Sequence, residues 1–280
     1  MSGLKKTEID RLTIFYYPGV TDLEGLIKEF KLAPLILKKG RGGIRIFNIQ
    51  DKKIACRQYI HGGLFRFFTR DFFFSAKRVL NEINILSYLH SLNMPVAEPF
   101  CAIVERDFLV KKLYLLTIYE EETENLPEYL NKTDIRHRLR MAKKIALLFW
   151  NLEKSGIYHP DLHLDNILVK KKPHIYDSKG LKIEFQDTIL IDFDKAKIKN
   201  ITKKDMERMF WRLNRYIEKL NRKGMINVGI AEKTLFLRTY KRLSGYDMFD
   251  TMKAGLKYRR FFSRIGWWID SFFYKSSYKR

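Results

Sequence analysis

The stretch that most constrains this chain is "YHPDLHLDNILVK", residues 158–170, because it sets polar and charged side chains directly beside an apolar run. Asp161, Asp165 and Asn166 precede "ILV", and this pattern predicts a short buried strand. An unpaired buried carboxylate is costly, so a fold that keeps two of them beside its core must hold something cationic or reactive there. The stretch therefore predicts a chemical site.

Length and composition indicate a chain with a full hydrophobic core. It has 280 residues, 46% of them hydrophobic, which is enough for two lobes or two closely packed domains. The N-terminus lacks the apolar segment of a secretory signal, and no uncharged apolar run approaches the ~18 residues of a spanning helix. Cys56 and Cys101 are isolated, so we expect a reducing, cytoplasmic environment.

The charge is strongly positive. Lys and Arg total 54 against 32 Asp and Glu, which gives a net charge of +22. Such a chain is expected to bind a polyanion, such as nucleic acid, an anionic membrane surface or a phosphorylated substrate, although a lysine-rich solvated surface would explain part of the excess. The sequence contains no zinc-binding spacing, helix-turn-helix or RNP-type signature, so nucleic acid is not the expected partner.

Periodicity predicts a strand-rich first half and a helical second half. The predicted first-half elements are strands at 11–17, a hairpin across 44–59, one long helix at 75–92 and two strands within 101–121. The predicted second-half elements are a helix at 134–154 ended by Gly156, the strand 188–194 and a helix opened by a capping box of Thr202 and Asp205. We place the boundary near 121–125, giving lobes of residues 1–122 and 123–280.

Three features of the first half could bind a nucleotide. In "KKGRGG", Gly40, Gly42 and Gly43 would let backbone N–H groups approach a phosphate. Arg57 lies on the following strand and could pair with phosphates, and Glu82 on the long helix could orient that cation. Each feature alone is more simply a turn, a surface cation or a solvated glutamate.

The second half supplies a set of oxygen ligands. Asp161 and Asn166 are five residues apart, and Asp192 follows an apolar strand. An amide and a carboxylate suit Mg²⁺, which binds through few protein groups together with phosphates and waters. The remaining carboxylate, Asp161, could take a proton from a hydroxyl nucleophile. His159 is expected to pack and hydrogen-bond behind this loop, and Asp165 to cap a turn.

The order of these elements resembles a protein-kinase-like phosphotransferase: glycine-rich loop, strand cation, helix Glu, D-x-x-x-x-N and D-F-x. The resemblance implies an α+β bilobal fold, with an antiparallel sheet and one long helix in the N-lobe and a mainly helical C-lobe. His163 stands where many kinases carry a lysine aimed at the transferred phosphate. Arg57 replaces the usual lysine, Asp194 replaces the glycine of D-F-G, and no A-P-E segment follows, so a protein acceptor is not expected.

A second resemblance accounts for both departures, Arg57 in place of lysine and Asp194 in place of glycine. "GRGG" (40–43), "RQYIHGGLF" (57–65) with "RDFFFS" (70–75), "HPDLHLDNIL" (159–168) and "LIDFDKA" (190–196) resemble the 3-deoxy-D-manno-octulosonic acid (Kdo) kinases of the lipopolysaccharide kinase family. The resemblance covers roughly residues 35–245, and its most specific part is the Arg–Gly-Gly-Leu–aromatic run. Segment 171–187 within that range is longer than is usual between the catalytic loop and the metal-binding strand, so the resemblance does not extend to it.

This resemblance implies ATP and Mg²⁺ as cofactors and a Kdo-bearing lipid A precursor as acceptor. It implies Asp161 and His163 as catalytic residues and Asn166 and Asp192 as metal ligands. The predicted place is the cytoplasmic face of the inner membrane, as a peripheral protein, and the oligomeric state stays open. Alternatives are a heptose or other small-sugar kinase, an atypical protein kinase, and a membrane-bound scaffold without activity.

Two aromatic segments could contact a membrane. Within 258–272, aromatic and aliphatic residues at helical spacing lie opposite arginines, a pattern typical both of an interfacial helix and of a last helix packed on the lower lobe. The run "GGLFRFFTRDFFF" holds six phenylalanines, which favours an exposed, acceptor-facing patch.

Overall fold

In a computed structural model of the chain, the described residues are 3–37, 44–49, 51–61, 71–171 and 188–249. Several sequence-based predictions fall outside these ranges. They are the glycines Gly40, Gly42 and Gly43, residues 62–70 of the aromatic run 62–74, the polar segment over 172–187 and the aromatic C-terminal segment 258–272. In the described end of the aromatic run, Phe73 is buried and Phe74 is exposed.

The first part of the chain forms a seven-stranded antiparallel sheet. Its strands are β1 (Lys5–Ile9), β2 (Leu12–Tyr16), β3 (Leu35–Leu37), β4 (Ile44–Ile49), β5 (Lys52–Gln58), β6 (Pro99–Asp107) and β7 (Val110–Ile118). Their order across the sheet is β1-β2-β6-β7-β5-β4-β3. The predicted hairpin of β4 and β5 turns at Asp51, which adopts φ 60°, a conformation that aspartate tolerates in turns. Ile44 pairs with Arg57 across this hairpin.

Helices α1 (Leu23–Leu32) and α2 (Lys77–Ser91) belong to the two separate core clusters of the protein. The Asp22 carboxylate caps α1 by accepting a hydrogen bond from the Gly25 N–H, 2.8 Å. The predicted helix α2 buries a stripe at helical spacing that includes Val79, Ile83 and Leu86. This stripe belongs to the larger core cluster, which also contains residues from the second half of the chain. Helix α2 therefore shares one core with both halves.

The described second half is mainly helical, as predicted. Its helices are α3 (Leu126–Lys132), α4 (Ile135–Lys154), α5 (Lys203–Arg222) and α6 (Ile230–Ser244). Asp134 caps α4 through the His137 N–H, and Thr202 and Asp205 form the predicted capping box of α5. Gly156 follows the end of α4 and adopts φ 68°, and an added Cβ there would lie 3.1 Å from the Lys199 carbonyl oxygen.

Small sheets bring the polar motifs together. Their strands are β8 (Thr123–Asn125), β9 (Ile157–Tyr158), β10 (Ile167–Lys170), β11 (Thr188–Leu190) and β12 (Lys197–Ile198). They form the sheets β11-β10-β8 and β12-β9. The Ile191 N–H donates to the Asn166 carbonyl oxygen at 3.0 Å, which places the end of one motif against the start of the other. Strand β11 ends at Leu190 rather than running to 194.

Strand β8 pairs with β10 and not with the seven-stranded sheet, and the lobe boundary at 122/123 stays a prediction. Within the described ranges, no helix combines the length and the apolar character that crossing a membrane would require.

Candidate active site

Arg57 joins two acidic residues that are distant in the sequence. Its Nη1 donates to Oδ1 of Asp192 at 2.6 Å, and its Nη2 donates to both carboxylate oxygens of Glu82 at 2.7 Å. The side chain of Glu82 is fully buried, whereas that of Arg57 is 31% exposed. The structure therefore places a cation, held by the helix glutamate, at the first residue pair of the β4–β5 hairpin.

The Glu82 carboxylate is fixed by further donors. The Tyr59 hydroxyl donates to its Oε2, and the Phe193 N–H donates to its Oε1 at 2.9 Å. A buried charge is tolerated only when it is paired and hydrogen-bonded in this way. The sequence suggested that Glu82 could orient Arg57, and the structure brings the two together and extends the pair to Asp192.

Asp192 has an unusual backbone conformation for a residue with a side chain, φ 66°. Such strain costs of order 1–3 kcal/mol and persists where neighbouring contacts enforce it. Burial acts to raise the pKa of this carboxyl, but Arg57 outweighs burial and the pKa lies below its usual value. Asp192 is therefore an anion at neutral pH.

Asn166 lies in a 3₁₀ turn, Leu164–Asn166, and is 5% exposed. Its Nδ2 donates to the main-chain carbonyl oxygen of Asp161 at 3.1 Å. This bond fixes which side of the amide carries the oxygen and ties the two ends of the loop together.

The Asp161 carboxylate is paired on both oxygens. Lys195 Nζ lies 3.1 Å from Oδ2, and Arg212 of α5 donates to Oδ1. Burial acts to raise the pKa of Asp161, but Arg212 and then Lys195 outweigh it and hold the pKa below its usual value. The sequence analysis missed both cations, which lie 34 and 51 residues beyond Asp161.

His163 stacks on Tyr216 of α5, with ring centroids 4.4 Å apart and an interplanar angle of 14°. Burial lowers the pKa of His163 below its ordinary value. The Tyr216 hydroxyl donates a hydrogen bond to the Asp165 carboxylate and so links this loop to α5. The turn-capping role of Asp165 stays a prediction. The stack holds α5 against the loop.

His159 packs behind the loop as predicted, with its ring 5.1 Å from that of Phe193. It is fully buried beside the main chain of Asp192. Burial lowers the pKa of His159 from 6.5 to about 4. The ring is therefore neutral and acts as packing.

This burial predicts a loss of stability in acid. Between about pH 6.5 and pH 4 the unfolded chain binds the His159 proton more tightly than the folded chain, so stability falls as pH falls through this window. By pH 5 the loss relative to pH 8 should reach about 2 kcal/mol. Urea unfolding at both pH values tests this. In a His159→Phe variant the difference should shrink by that amount, and an unchanged difference would contradict the assignment.

Two further contacts tie α2 to the segment after β11. Arg78 forms a two-pronged ion pair with Asp194, the residue that replaces the glycine of D-F-G. The Asn81 Nδ2 donates to the Ala196 carbonyl oxygen at 3.0 Å. Asp194 therefore has a structural role that the sequence did not reveal: it replaces a flexible glycine with a fixed link to the helix.

The donors at this site suit a hard divalent cation. In the described part of the chain, no cluster of three His, Cys, Asp or Glu side chains could form an all-protein metal cage. The available groups are the Asp192 carboxylate and the oriented Asn166 amide, beside the backbone link between Ile191 and Asn166. Mg²⁺ is usually bound by one or two protein oxygens, with phosphate and water completing the shell. The residues present fit such an ion.

Comparison with known proteins agrees with this architecture. The model of the family described as "Lipopolysaccharide kinase (Kdo/WaaP) family" matches residues 31–240. Relatives named 3-deoxy-D-manno-octulosonic acid kinase include one from Xanthomonas oryzae pv. oryzae, 27% identical over 193 residues, covering 67% of this chain and 71% of the relative. Another, from Mannheimia succiniciproducens, is 31% identical over 166 residues, covering 56% of this chain and 64% of the relative.

A solved structure described as WaaP in complex with acyl carrier protein is similar in fold. Its TM-score is 0.52 at 14% identity, and the match covers 89% of this chain and 90% of that chain. This similarity confirms the predicted α+β kinase-like fold.

Proposed function

Because the chain belongs to the lipopolysaccharide kinase (Kdo/WaaP) family, we propose that it transfers the γ-phosphate of ATP to a hydroxyl of Kdo on a lipid A precursor. The carrying observation is the ion-pair chain Glu82–Arg57–Asp192 next to the loop that holds Asp161 and Asn166. That arrangement joins a cation for nucleotide phosphates, oxygen ligands for a metal and a carboxylate for the acceptor. The relatives named as Kdo kinases support the choice of sugar.

Arg57 and the glycine segment would bind the nucleotide. Arg57 is partly exposed, so its guanidinium can contact phosphate oxygens while Glu82 holds it from the buried side. Residues 40–43 directly precede Ile44, which pairs with Arg57. On this proposal the backbone N–H groups of Gly40, Gly42 and Gly43 would bind the same phosphates.

Asn166 and Asp192 would bind Mg²⁺. When bound, the ion would neutralise charge on the nucleotide phosphates. Asn166 is oriented by its bond to the Asp161 carbonyl, and Asp192 is kept anionic by Arg57.

Asp161 would accept the proton of the attacking sugar hydroxyl. The proposed metal ligand Asn166 follows five residues later in the same loop and is joined to Asp161 by the bond from its side-chain amide to the Asp161 carbonyl oxygen. His163 has a lowered pKa, so we assign it contact with the acceptor or the transferred phosphate as a neutral hydrogen-bonding group. Positioning and electrostatics supply most of the rate in phosphoryl transfer.

We place the enzyme at the anionic cytoplasmic face of the inner membrane. The support is the net charge of +22 and the basic aromatic pattern over 258–272. A Kdo-bearing lipid A precursor would be presented at such a surface.

The proposed function predicts that label from [γ-³²P]ATP enters Kdo-bearing lipid A precursor in anionic vesicles, in the presence of Mg²⁺, and does not enter the same lipid lacking Kdo. The matched lipid is the control, because both carry the same acyl chains and phosphates. Transfer to both lipids would place the phosphate elsewhere than on Kdo. Transfer to neither, with label entering a heptose-bearing acceptor, would replace the proposed acceptor by heptose.

A further inference from the structure

We propose that Arg212 and Lys195 form a subsite for the carboxylate of the acceptor sugar. The inference rests on the proposed function, since it concerns how the acceptor of that reaction is recognised. It identifies the chemical group of the sugar that the two cations would bind.

The first observation is that both carboxylate oxygens of Asp161 already have a cationic partner. Lys195 pairs with Oδ2 at 3.1 Å and Arg212 pairs with Oδ1, so each carboxylate oxygen already faces a cation. Two cations thus converge on one carboxylate, which leaves one positive charge unbalanced and suits the binding of a second carboxylate.

The second observation is that both cations can reach solvent. The side chains of Lys195 and Arg212 are 62% and 37% exposed, and that of Asp161 is 29% exposed. Neither cation comes from the loop itself: Arg212 is on α5 and Lys195 follows the Asp192 motif. An incoming ligand can therefore take these cations without dismantling the loop.

The third observation is an unused donor on Arg212. Its Nε–H is buried and has no acceptor among the described residues, while Nη2 contacts Asp161. A buried donor without a partner is unfavourable, and Nε and Nη2 together form the edge of a guanidinium that binds a carboxylate through two parallel hydrogen bonds. One donor on this edge of Arg212, Nη2, thus contacts Asp161, and the other, Nε, has no partner among the described residues.

The chemistry of the acceptor fits this edge. An octulosonic acid carries a carboxyl group, which is ionised at neutral pH, whereas a heptose has none. Without nearby cations such a sugar would be repelled by Asp161 and Asp192. Arg212 and Lys195 would remove that repulsion.

The step then balances as follows. The sugar carboxylate pairs with Arg212 and Lys195, and Asp161 accepts the hydroxyl proton as the sugar oxygen forms its bond to the γ-phosphorus. The bond between that phosphorus and the bridging oxygen breaks, and ADP leaves with the electron pair. A neutral sugar in the same place would leave Asp161 paired with both cations.

The test compares a soluble Kdo glycoside with its methyl ester, which has the same hydroxyls and no charge. We expect the wild-type enzyme to prefer the acid in kcat/KM by about 10- to 100-fold, the effect of a charge-assisted two-bond contact. In Arg212→Gln the preference should fall to within about 3-fold, mainly through a higher KM for the acid, with the KM for ATP unchanged. Arg212→Lys should restore part of it, which separates loss of charge from misfolding.

Arg215→Gln is the matched control, because Arg215 lies on the same helix against the Trp211 ring and should leave the preference intact. If Arg212→Gln lowers kcat/KM for acid and ester by one common factor, Arg212 only orients Asp161 and the subsite is refuted. Equal use of acid and ester by the wild-type enzyme would refute the subsite while leaving the proposed function standing. Failure of the wild-type enzyme to phosphorylate either compound, together with failure to label the Kdo-bearing lipid in vesicles, would refute both.

Discussion

An Asp161→Asn enzyme is expected to lose about 10²- to 10⁴-fold in kcat, the usual contribution of a positioned general base, while still binding nucleotide. Asparagine keeps the size of the side chain but cannot accept the hydroxyl proton. The main-chain carbonyl of residue 161, which accepts from Asn166, is untouched by the substitution, so the metal ligand should keep its orientation.

The measurement is single-turnover transfer at saturating acceptor, together with the Kd of a non-hydrolysable nucleotide. Asp165→Asn is the matched control, since it removes a carboxylate of the same loop that accepts a hydrogen bond from the Tyr216 hydroxyl and has no proposed role in proton transfer. We expect that control to retain kcat within about 5-fold. Near-normal turnover in Asp161→Asn would show that another group accepts the proton.

An Asp192→Asn enzyme is expected to require at least about 10-fold more Mg²⁺ for half-maximal rate and to lose about 10²-fold in kcat. The substitution removes the charge that would bind the ion and that now pairs with Arg57. Asparagine tolerates the left-handed backbone at this position, so the effect should report on charge rather than on strain.

The readouts are the Mg²⁺ dependence of the rate and the thermal stabilisation of the protein by Mg²⁺ with nucleotide. Asp194→Asn serves as the comparison: it weakens the ion pair with Arg78 and leaves the proposed ligands in place. Its Mg²⁺ requirement should therefore match that of the wild-type protein. Equal shifts in both variants would mean that Asp192 acts through the overall position of this segment and not as a ligand.

Local patterns were sufficient for much of the fold. The α2, α4 and α5 helices have apolar stripes and, in the last two, capping side chains within four residues, so their presence follows from nearby residues. The β4–β5 hairpin also follows from alternation around a turn. Strand β1 and helix α1 were not assigned, because a short charged edge strand and a helix of ten residues give weak periodic signals.

Some residues of the candidate site were predicted from the sequence and others were not. Asp161, Asn166, Asp192, Arg57 and Glu82 stand in a fixed order, and the structure brings them together. Family membership confirms the enzyme class expected from that order, a phosphotransferase of the kinase type that acts on a sugar hydroxyl. Arg212 and Tyr216 gave no sign, because nothing near them in the sequence marks a basic or aromatic residue on a polar helix face as part of a site. Lys195 lies within the quoted motif 190–196, but its spacing did not indicate that it would pair with Asp161.

The sequence by itself therefore determined the fold class and the identity of the chemical groups, since short-range spacing and residue type encode both. Only the tertiary structure decided which groups meet: Glu82 with Arg57 and Asp192, and Asp161 with Arg212 and Lys195. The reason is physical. Ion pairs between residues 25 to 135 positions apart depend on how sheet, loop and helix pack, and no local periodicity specifies that packing.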